Sequence, residues 1–312
     1  IPSVFIPLKY LAYASNKRTW QLMQYLKKND FQFNHIEAHT LGALYPAYYW
    51  AKKSDKSFSF DVEDYHPEEK IELQVHWEKR RRYKLMKQLL PEAKYITAAS
   101  PLIANETEKL INKKVITINN SFFEEEFLKP DTIEGVSKMR LVWFSITVSY
   151  GRGLEELIEA CKRVKTKVQL ELIGNLDDNF ETEYIIPNQD FIQTKPPIPQ
   201  VELHQKLSDY DVGLALEMAS TDFNRNICLT NKLFAFAQSG LYVLATDTLA
   251  QKDFLKNNPL LGQICQQNAY SIEQALIEIS NRLLQIRNEK PKRFEIAKQL
   301  SFEKEMEKIS LK

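Results

Sequence analysis

The sequence is poor in glycine, cysteine and long apolar segments, and each shortage argues against a class of protein. Its eight glycines in 312 residues are few for an α/β enzyme that holds phosphate groups in glycine-rich turns. The three cysteines, Cys161, Cys228 and Cys265, are widely spaced and form no Cys-x-x-Cys pair. This argues against a disulfide framework or a zinc site and fits a reducing compartment. No apolar run reaches the roughly eighteen residues of a membrane-spanning helix, and we expect no signal peptide.

The net charge, the composition and the length of the chain narrow the range of protein classes to which it could belong. The formal net charge is +1, which gives no overall field that would attract nucleic acid or another polyanion. With 44% hydrophobic and 27% charged residues, the composition is typical of a globular enzyme, and we expect a cytoplasmic one. A chain of 312 residues accommodates two α/β domains. Because it begins at Ile1 rather than Met, we also expect that the natural N-terminal segment is missing.

Short β-branched runs alternate with longer amphipathic segments, which is typical of βαβ units that form a parallel sheet. In the first half the predicted strands are His35–Ala38, Ser57–Asp61, Tyr95–Ala98 and Val115–Asn119. The predicted helices are Leu41–Lys53, roughly Glu68–Leu90, and Ser100–Asn112, the last with Ser100 as N-cap and Pro101 at its first position. Residues 128–139 lose the periodicity, so we place a domain boundary there.

The alternation then begins again and predicts six further strands. These are Arg140–Ser145, Gln169–Gly174, Asp190–Gln193, Val212–Leu216, Leu241–Thr246 and a strand near Gln263–Cys265. From Ser271 onward the pattern is helical, with a break near Pro291. The first half has fewer strands than the second, which again predicts that an opening βαβ unit is absent.

A first candidate site lies in residues 143–160. A predicted strand ends at Ser145, a loop carries Gly151, Arg152 and Gly153, and an amphipathic helix follows. Backbone N–H groups at the start of a helix, beside an arginine that can donate two parallel hydrogen bonds, suit a diphosphate. The alternative is an ordinary strand–helix turn with a solvated arginine.

A second candidate site lies in residues 226–247. Thr230 is predicted to cap a helix whose first turn holds Asn231 and Lys232, and Gly240 is predicted to end it. A lysine in a first turn faces the positive end of the helix dipole, so it is better explained if an anion lies there too. The alternative is a lysine whose ammonium reaches solvent.

A third candidate site is the acidic segment 60–69, which follows a predicted strand. Open α/β sheets bind ligands at the carboxyl ends of their strands. Glu63 and Asp64 could therefore supply a general base or orient sugar hydroxyls, and His39 follows a neighbouring strand in the same way. The alternatives are helix capping for the acids and a structural role for the histidine. The spacing fits no standard metal site, so we predict none.

A basic run covers residues 79–84, Lys-Arg-Arg-Arg-Tyr-Lys. On a helix, with Trp77 and Leu85 close by, it could contact an anionic membrane surface or a lipid-phosphate acceptor. The alternative is a solvated helix face.

Taken in order, these segments resemble the retaining glycosyltransferases of the GT-B fold, over nearly the whole chain. The matching segments are His35–Leu44, Phe60–Asp64, Ile118–Ser121, Leu172–Gly174, Tyr210–Leu214, Asn231–Phe234 with Ser239–Leu241, and Ser301–Glu303. The resemblance implies two Rossmann-like domains with parallel sheets flanked by helices. It places the acceptor-side domain at 1–134, the nucleotide-sugar domain at 135–295, and a C-terminal helix, 296–312, that crosses back to the first domain.

By the same resemblance, the chain would transfer sugar from a nucleoside-diphosphate sugar to a glycan or lipid-linked acceptor in bacterial polysaccharide assembly. Arg152 and Lys232 would hold the diphosphate, and the backbone near Ile198 would face the base. Ser145, Gly153 and Asn231 complete the predicted donor site, while Glu63, Asp64 and His39 are the predicted catalytic residues. Neither a cofactor nor a metal is implied, since basic side chains would neutralise the leaving phosphate.

The sequence departs from the family pattern at several positions. Ile227 and Ala235 occupy the places of a glutamate pair, Ile146-Thr147 the place of a Gly-Arg pair, and Glu63 the place of a histidine. A second hypothesis therefore stays open: a GT-B domain that binds a nucleotide or a partner protein without catalysis.

Overall fold

A computed structural model of the chain describes residues 6–29, 31–72, 75–130 and 137–310. Its contacts form two units. Unit 1 consists of Ile1–Asn119 together with Thr221–Cys228, and unit 2 consists of Asn120–Ser220 together with Leu229–Lys312. Within the described ranges, no helix is both long and apolar enough to cross a membrane.

Unit 1 contains a four-stranded parallel sheet whose spatial order follows the chain. Its strands are β1 (His35–His39), β2 (Ser57–Val62), β3 (Ile96–Ala98) and β4 (Ile116–Thr117). Its helices are α1 (Leu8–Ser15), α2 (Lys17–Lys28), α3 (Leu41–Lys53), α4 (Val75–Leu89), α5 (Pro101–Ile111) and, from later in the chain, α9 (Phe223–Ile227). Connections between parallel strands are right-handed, and in this sheet each connection leads to the next strand on the same side. The helices in these connections, α3, α4 and α5, therefore lie on the same face of the sheet.

The two faces of this sheet differ in polarity, because side chains alternate along each strand. On β2, the residues that belong to the apolar core are Phe58, Phe60 and Val62. On the opposite face the ring nitrogens of His35 are hydrogen-bonded to Ser57 Oγ at 2.8 Å and Ser59 Oγ at 2.9 Å. Unit 1 therefore presents one face lined by polar side chains.

Unit 2 contains a six-stranded parallel sheet in the order β10-β9-β8-β5-β6-β7. Its strands are β5 (Met139–Val148), β6 (Val168–Leu176), β7 (Ile192–Lys195), β8 (Val212–Ala215), β9 (Tyr242–Thr246) and β10 (Gly262–Cys265). Its helices are α6 (Leu154–Arg163), α7 (Asp178–Phe180), α8 (Gln200–Leu207), α10 (Asn231–Gln238), α11 (Leu249–Asn257), α12 (Ala269–Asn281), α13 (Leu283–Asn288), α14 (Lys290–Ala297) and α15 (Phe302–Ser310). From β5 the chain adds β6 and β7 on one side of the sheet. It then returns to the other side of β5 and adds β8, β9 and β10, so the strand order reverses between β5 and β8.

Several predicted helix ends are confirmed by their local geometry. Ser100 Oγ accepts the N–H of Ile103 at 3.1 Å, and Pro101 occupies the first helical position of α5. Gly240 follows α10 with φ +74°, a left-handed conformation that a side chain would strain. Ser100 determines the start of α5 because its hydroxyl accepts a backbone N–H that has no partner within the helix. Gly240 determines the end of α10 because it can adopt the left-handed conformation that ends a helix.

Other predicted elements differ from the structure. The helix predicted from Glu68 begins at Val75, because His66–Glu68 forms a separate 3-10 turn; residues 73 and 74 lie outside the described part of the chain. β5 continues to Val148, and its pairing with β6 shifts between Phe144 and Thr147. Ser145 therefore lies at an irregularity inside the strand rather than at its end. The helices α1 and α2 were not predicted from the sequence.

The boundary between the units falls after Asn119, earlier than the predicted boundary after residue 134. The segment that follows Asn119 makes its own bonds within unit 2, since Gln238 Oε1 accepts the N–H of Phe122 at 3.0 Å. In the same segment Glu126 contacts His204 Nδ1 at 2.9 Å. The domain boundary predicted at residues 128–139 stays a prediction.

The C-terminal residues belong to unit 2 by their contacts. The N–H of Phe302 donates to the carbonyl of Phe122 at 2.9 Å, and the rings of Phe123 and Phe302 lie 4.9 Å apart. The predicted crossing of residues 296–312 to the first domain stays a prediction.

Candidate functional site

The carboxyl ends of β5 and β8 define the first candidate site, in unit 2. The two strands are hydrogen-bonded neighbours, with Leu141 paired to Val212 and Val142 to Gly213. The strand order reverses between them, and a reversal of this kind leaves a crevice in which open α/β sheets bind ligands.

The loop after β5 carries two glycines and one arginine before α6, and the N–H of Gly151 donates to Glu155 Oε1 at 2.8 Å. Gly151 and Gly153 have φ of +70° and +74°, and Gly153 is the N-cap of α6. An added Cβ at Gly153 would lie 3.5 Å from Leu216 Cβ and 3.6 Å from Met218 Sδ, so this loop lies directly against the loop after β8. The predicted strand–loop–helix arrangement around Gly153 is therefore present.

Arg152 lies between the two glycines and is partly exposed. Among the described residues its guanidinium has no ion pair or side-chain hydrogen bond. Arg163, at the other end of α6, is instead paired with Glu159 and Glu273, each at 3.1 Å. Within the described ranges, the hydrogen-bond donors of Arg152 are therefore not used by the protein itself.

Lys232 occupies the first turn of α10, as predicted, and its charge already has a partner. Its ammonium lies 3.3 Å from Glu217 Oε1, and the side chains are 14% and 6% exposed. The ammonium also lies 5.5 Å from the ring centroid of Trp143, in β5, which is within the range of a cation–π contact. A carboxylate of the protein thus accounts for a lysine at the positive end of a helix.

The remaining predicted donor-site residues lie at different places around the same sheet. Asn231 begins α10 and is exposed. Thr230 is the N-cap, although its side chain makes no capping hydrogen bond. Ile198 lies in the loop between β7 and α8, and Ser145 lies within β5, where its carbonyl oxygen faces Gly174.

Residues missed by the sequence analysis complete this edge. Thr246, at the end of β9, accepts the N–H of Glu217 at 2.8 Å and donates its hydroxyl to the carbonyl of Glu217 at 2.7 Å. Glu217 directly follows the predicted strand Val212–Leu216, so the strand-end argument applied elsewhere would have found it. On the loop after β5, a hydrogen bond to Glu183 raises the pKa of Tyr150 to about 12.

A second cluster lies at the carboxyl ends of β1 and β2, in unit 1. His39 Nδ1 lies 3.1 Å from Glu63 Oε1 and 3.5 Å from Asp61 Oδ2. Thr97 Oγ1 donates to Asp61 Oδ1 at 2.5 Å. The ligand atoms of the histidine and the two acids lie within 4.8 Å of one another, close enough to share a proton or a cation. The predicted absence of a metal stays a prediction.

The structure separates Asp64 from this cluster. Its Oδ1 accepts from Asn224 Nδ2 at 2.6 Å, and Asn224 Oδ1 accepts the N–H of Tyr65 at 2.7 Å. Asp64 thereby fixes α9 to unit 1. Next to His39, Thr40 has φ 65° and ψ 148°, a conformation that costs a non-glycine residue about 1–3 kcal/mol and is often found at functional sites.

A cavity of about 380 Å³ lies beside β1, in unit 1. It is bounded by β1, α2 and α3, mostly by apolar side chains such as Leu22, Leu26 and Phe31, and His39 also lines it. A volume of this order is typical of small-molecule pockets.

No family model and no curated protein matches the chain. Two units, each with a parallel sheet flanked by helices, define its class as two-domain α/β, and solved structures of this class match it. The Anabaena HepE structure in complex with UDP is 12% identical, with a TM-score of 0.69 over 94% of this chain and 80% of HepE. Sucrose-phosphate synthase of Thermosynechococcus elongatus is 14% identical, with a TM-score of 0.69 over 100% of this chain and 80% of that enzyme.

Staphylococcus aureus TarM is a further match, 13% identical, with a TM-score of 0.66 over 92% of this chain and 57% of TarM. These likenesses show that the chain has the GT-B fold of these glycosyltransferases, as the sequence analysis predicted.

Proposed function

We propose that the chain is a glycosyltransferase that moves a sugar from a nucleoside-diphosphate sugar to a glycan or lipid-linked acceptor. The observation that carries the proposal is the reversal of strand order in the unit 2 sheet, with Arg152 in the loop before α6 and Lys232 in the first turn of α10. Among the similar structures, HepE has been crystallised with UDP and with UDP-glucose. Pneumococcal GtfA has been crystallised with UDP and GlcNAc.

In this proposal the positive charges act on the leaving diphosphate. Two helices, α6 and α10, begin near this edge, and helix N-termini favour anions through their N–H groups and dipole. Arg152 would donate two parallel hydrogen bonds to phosphate oxygens, with Lys232 as a point charge. Charge that develops on the phosphate during bond cleavage is then stabilised by groups already in place.

In unit 1 we propose that His39 and Glu63 act on the acceptor hydroxyl. A histidine 3.1 Å from a carboxylate is held in one tautomer and can take up a proton. Because Asp64 is bonded to Asn224, we assign it to positioning α9 rather than to catalysis.

Arg152→Ala tests the donor site. We expect a tenfold or greater loss of affinity for the nucleoside diphosphate that wild type binds, since a charge-assisted hydrogen bond contributes about 1.5–3 kcal/mol. Isothermal titration calorimetry measures the change. Arg163→Ala is the matched control, because it removes an arginine from the opposite end of α6 and should leave the affinity unchanged. Equal affinities of Arg152→Ala and wild type would show that the diphosphate does not bind here.

The non-catalytic alternative has one observation in its favour, the neutralisation of Lys232 by Glu217. It would make the chain a domain that binds a nucleotide or a partner without transfer. The related family has a glutamate at the position of Ala235, which is fully buried here. Ala235→Glu would bury a charge and lower the stability of the chain, so it would not test nucleotide binding. Release of nucleoside diphosphate from its sugar derivative, measured with and without acceptor, separates the two functions.

We further propose that α4 contacts an anionic membrane surface. Arg81 and Arg82 are not available for this, because both are paired with Glu78. Trp77 and Arg80 are outward-facing candidates: Trp77 is 66% exposed, and Arg80 lines an open surface depression with Tyr83. Interleaved aromatic and basic side chains on one helix face are typical of interfacial helices.

Flotation with vesicles tests this contact. The double variant Trp77→Ser/Arg80→Glu should bind vesicles that contain anionic lipid roughly tenfold more weakly, because each basic side chain near such a surface contributes about 1 kcal/mol. Lys162→Glu, an exposed site on α6, gives the same change of charge as Arg80→Glu and should bind like wild type. Equal binding of wild type to neutral and anionic vesicles would contradict the proposal.

A further inference from the structure

The diphosphate contacts proposed above do not use the carboxylate of Glu217, at the edge of the unit 2 sheet. It lies two residues after the end of β8 and is buried, although a carboxylate repels phosphate. Its neighbours in the chain, Leu216 and Met218, lie against Gly153 at the start of α6. The carboxylate itself lies 3.3 Å from the ammonium of Lys232, in the first turn of α10, which is one of the two groups proposed to hold the diphosphate.

The backbone of Glu217 is fixed by a fully bonded hydroxyl. Thr246 Oγ1 accepts the N–H of Glu217 and donates to its carbonyl, and it also accepts from Gln251 Nε2 at 3.2 Å. One hydroxyl has one hydrogen and two lone pairs, so this set uses all of them. A backbone held from both sides gives the carboxylate a defined position.

Lys232 and Glu217 place an ammonium and a carboxylate 3.3 Å apart. The ammonium of Lys232 offers donors to a phosphate oxygen, and the Glu217 carboxylate accepts hydrogen bonds only. A diphosphate without a sugar accepts hydrogen bonds from the Lys232 ammonium but is repelled by the Glu217 carboxylate. A phosphate that carries a sugar satisfies both, because sugar hydroxyls lie next to the phosphate and donate hydrogen bonds.

We infer that Glu217 recognises the sugar of the donor, accepting a hydrogen bond from a sugar hydroxyl while Lys232 contacts the phosphate attached to that sugar. This inference rests on the proposed function and assigns it a specificity-determining residue. A carboxylate that served only as the counter-ion of Lys232 would act on the diphosphate and on its sugar derivative equally, so the two roles differ in a measurable way.

The test compares Glu217→Gln with wild type by calorimetry, using UDP and UDP-glucose and, in parallel, GDP and GDP-mannose. For the pair that binds wild type, we expect the variant to bind the sugar nucleotide tenfold or more weakly relative to the free diphosphate. The free diphosphate should bind as well as before or more tightly, because Lys232 loses its competing carboxylate. An equal change for both ligands overturns the inference and leaves the proposed function intact.

Asp211→Asn is the matched control. Asp211 is also buried and paired with a cation, Arg287, at 2.9 Å. It precedes β8, at the opposite end of the strand from Glu217. This variant disturbs a buried ion pair of the same sheet and should keep the wild-type ratio of the two affinities. If Asp211→Asn changes the ratio as much as Glu217→Gln, the effect is one of stability and the inference fails. If wild type binds no nucleotide of either pair, the proposed function fails together with it.

Discussion

Lys232→Met is expected to lower the free energy of unfolding by about 3 kcal/mol. Methionine fills a similar volume but leaves the Glu217 carboxylate, 6% exposed, without the ammonium that lies beside it. Removing one member of a buried ion pair costs more than the pair contributes, because the remaining charge stays desolvated. Urea titration followed by circular dichroism measures the change.

The double variant Lys232→Met/Glu217→Gln is the control for this result. Because it removes both charges, most of the lost stability should return. A single variant as stable as wild type would show that solvent screens the pair, and Glu217 would then not be a buried counter-ion of Lys232. The double variant should fold but bind diphosphate only weakly, because it lacks the Lys232 ammonium. It therefore shows whether weak nucleotide binding is caused by the missing ammonium or by unfolding.

Gly174→Ala is expected to cost roughly 3 kcal/mol, through overlap of atoms and backbone strain together. Gly174 ends the regular part of β6 with φ +156°, and an added Cβ would overlap the carbonyl oxygen of Ser145. That oxygen belongs to the backbone, so it cannot move aside as a flexible side chain would. The irregular part of β5 should therefore have to move to make room for the methyl group. Urea titration measures the resulting loss in the free energy of unfolding.

Gly151→Ala is the control for Gly174→Ala. Gly151 also has a positive φ, +70°, but an added Cβ there would meet no atom within 4 Å. Its cost should be limited to the strain of a left-handed residue, about 1 kcal/mol. If both variants lose the same stability, close packing against Ser145 is not the reason for a glycine at 174.

Much of the fold follows from local patterns in the sequence. The β-branched runs predicted the strands of both sheets within a few residues, because buried parallel strands are continuously apolar. Ser100 and Gly240 marked helix ends through their own chemistry. The helices α1 and α2 gave a weaker signal, since each buries only two residues, Leu11 and Ala12 in one and Thr19 and Met23 in the other.

The site is less predictable, because its contacts join distant parts of the chain. Arg152 and Lys232 were found from the way their helices begin, since the start of a helix is a local property of the sequence. The sequence could not show that Glu217 neutralises Lys232, or that Asp64 is bonded to Asn224, 160 positions away. Such pairings depend on how the loops pack, and no local pattern specifies them.

The most direct test of the central claim is calorimetric binding of UDP, GDP, ADP and CDP to the wild-type chain. We expect that one of the four nucleotides binds measurably, that its sugar derivative competes for the same site, and that Arg152→Ala weakens that binding at least tenfold. No binding of any of the four, by a chain that is folded by circular dichroism, would contradict the assignment of the unit 2 sheet edge as a nucleotide-sugar site.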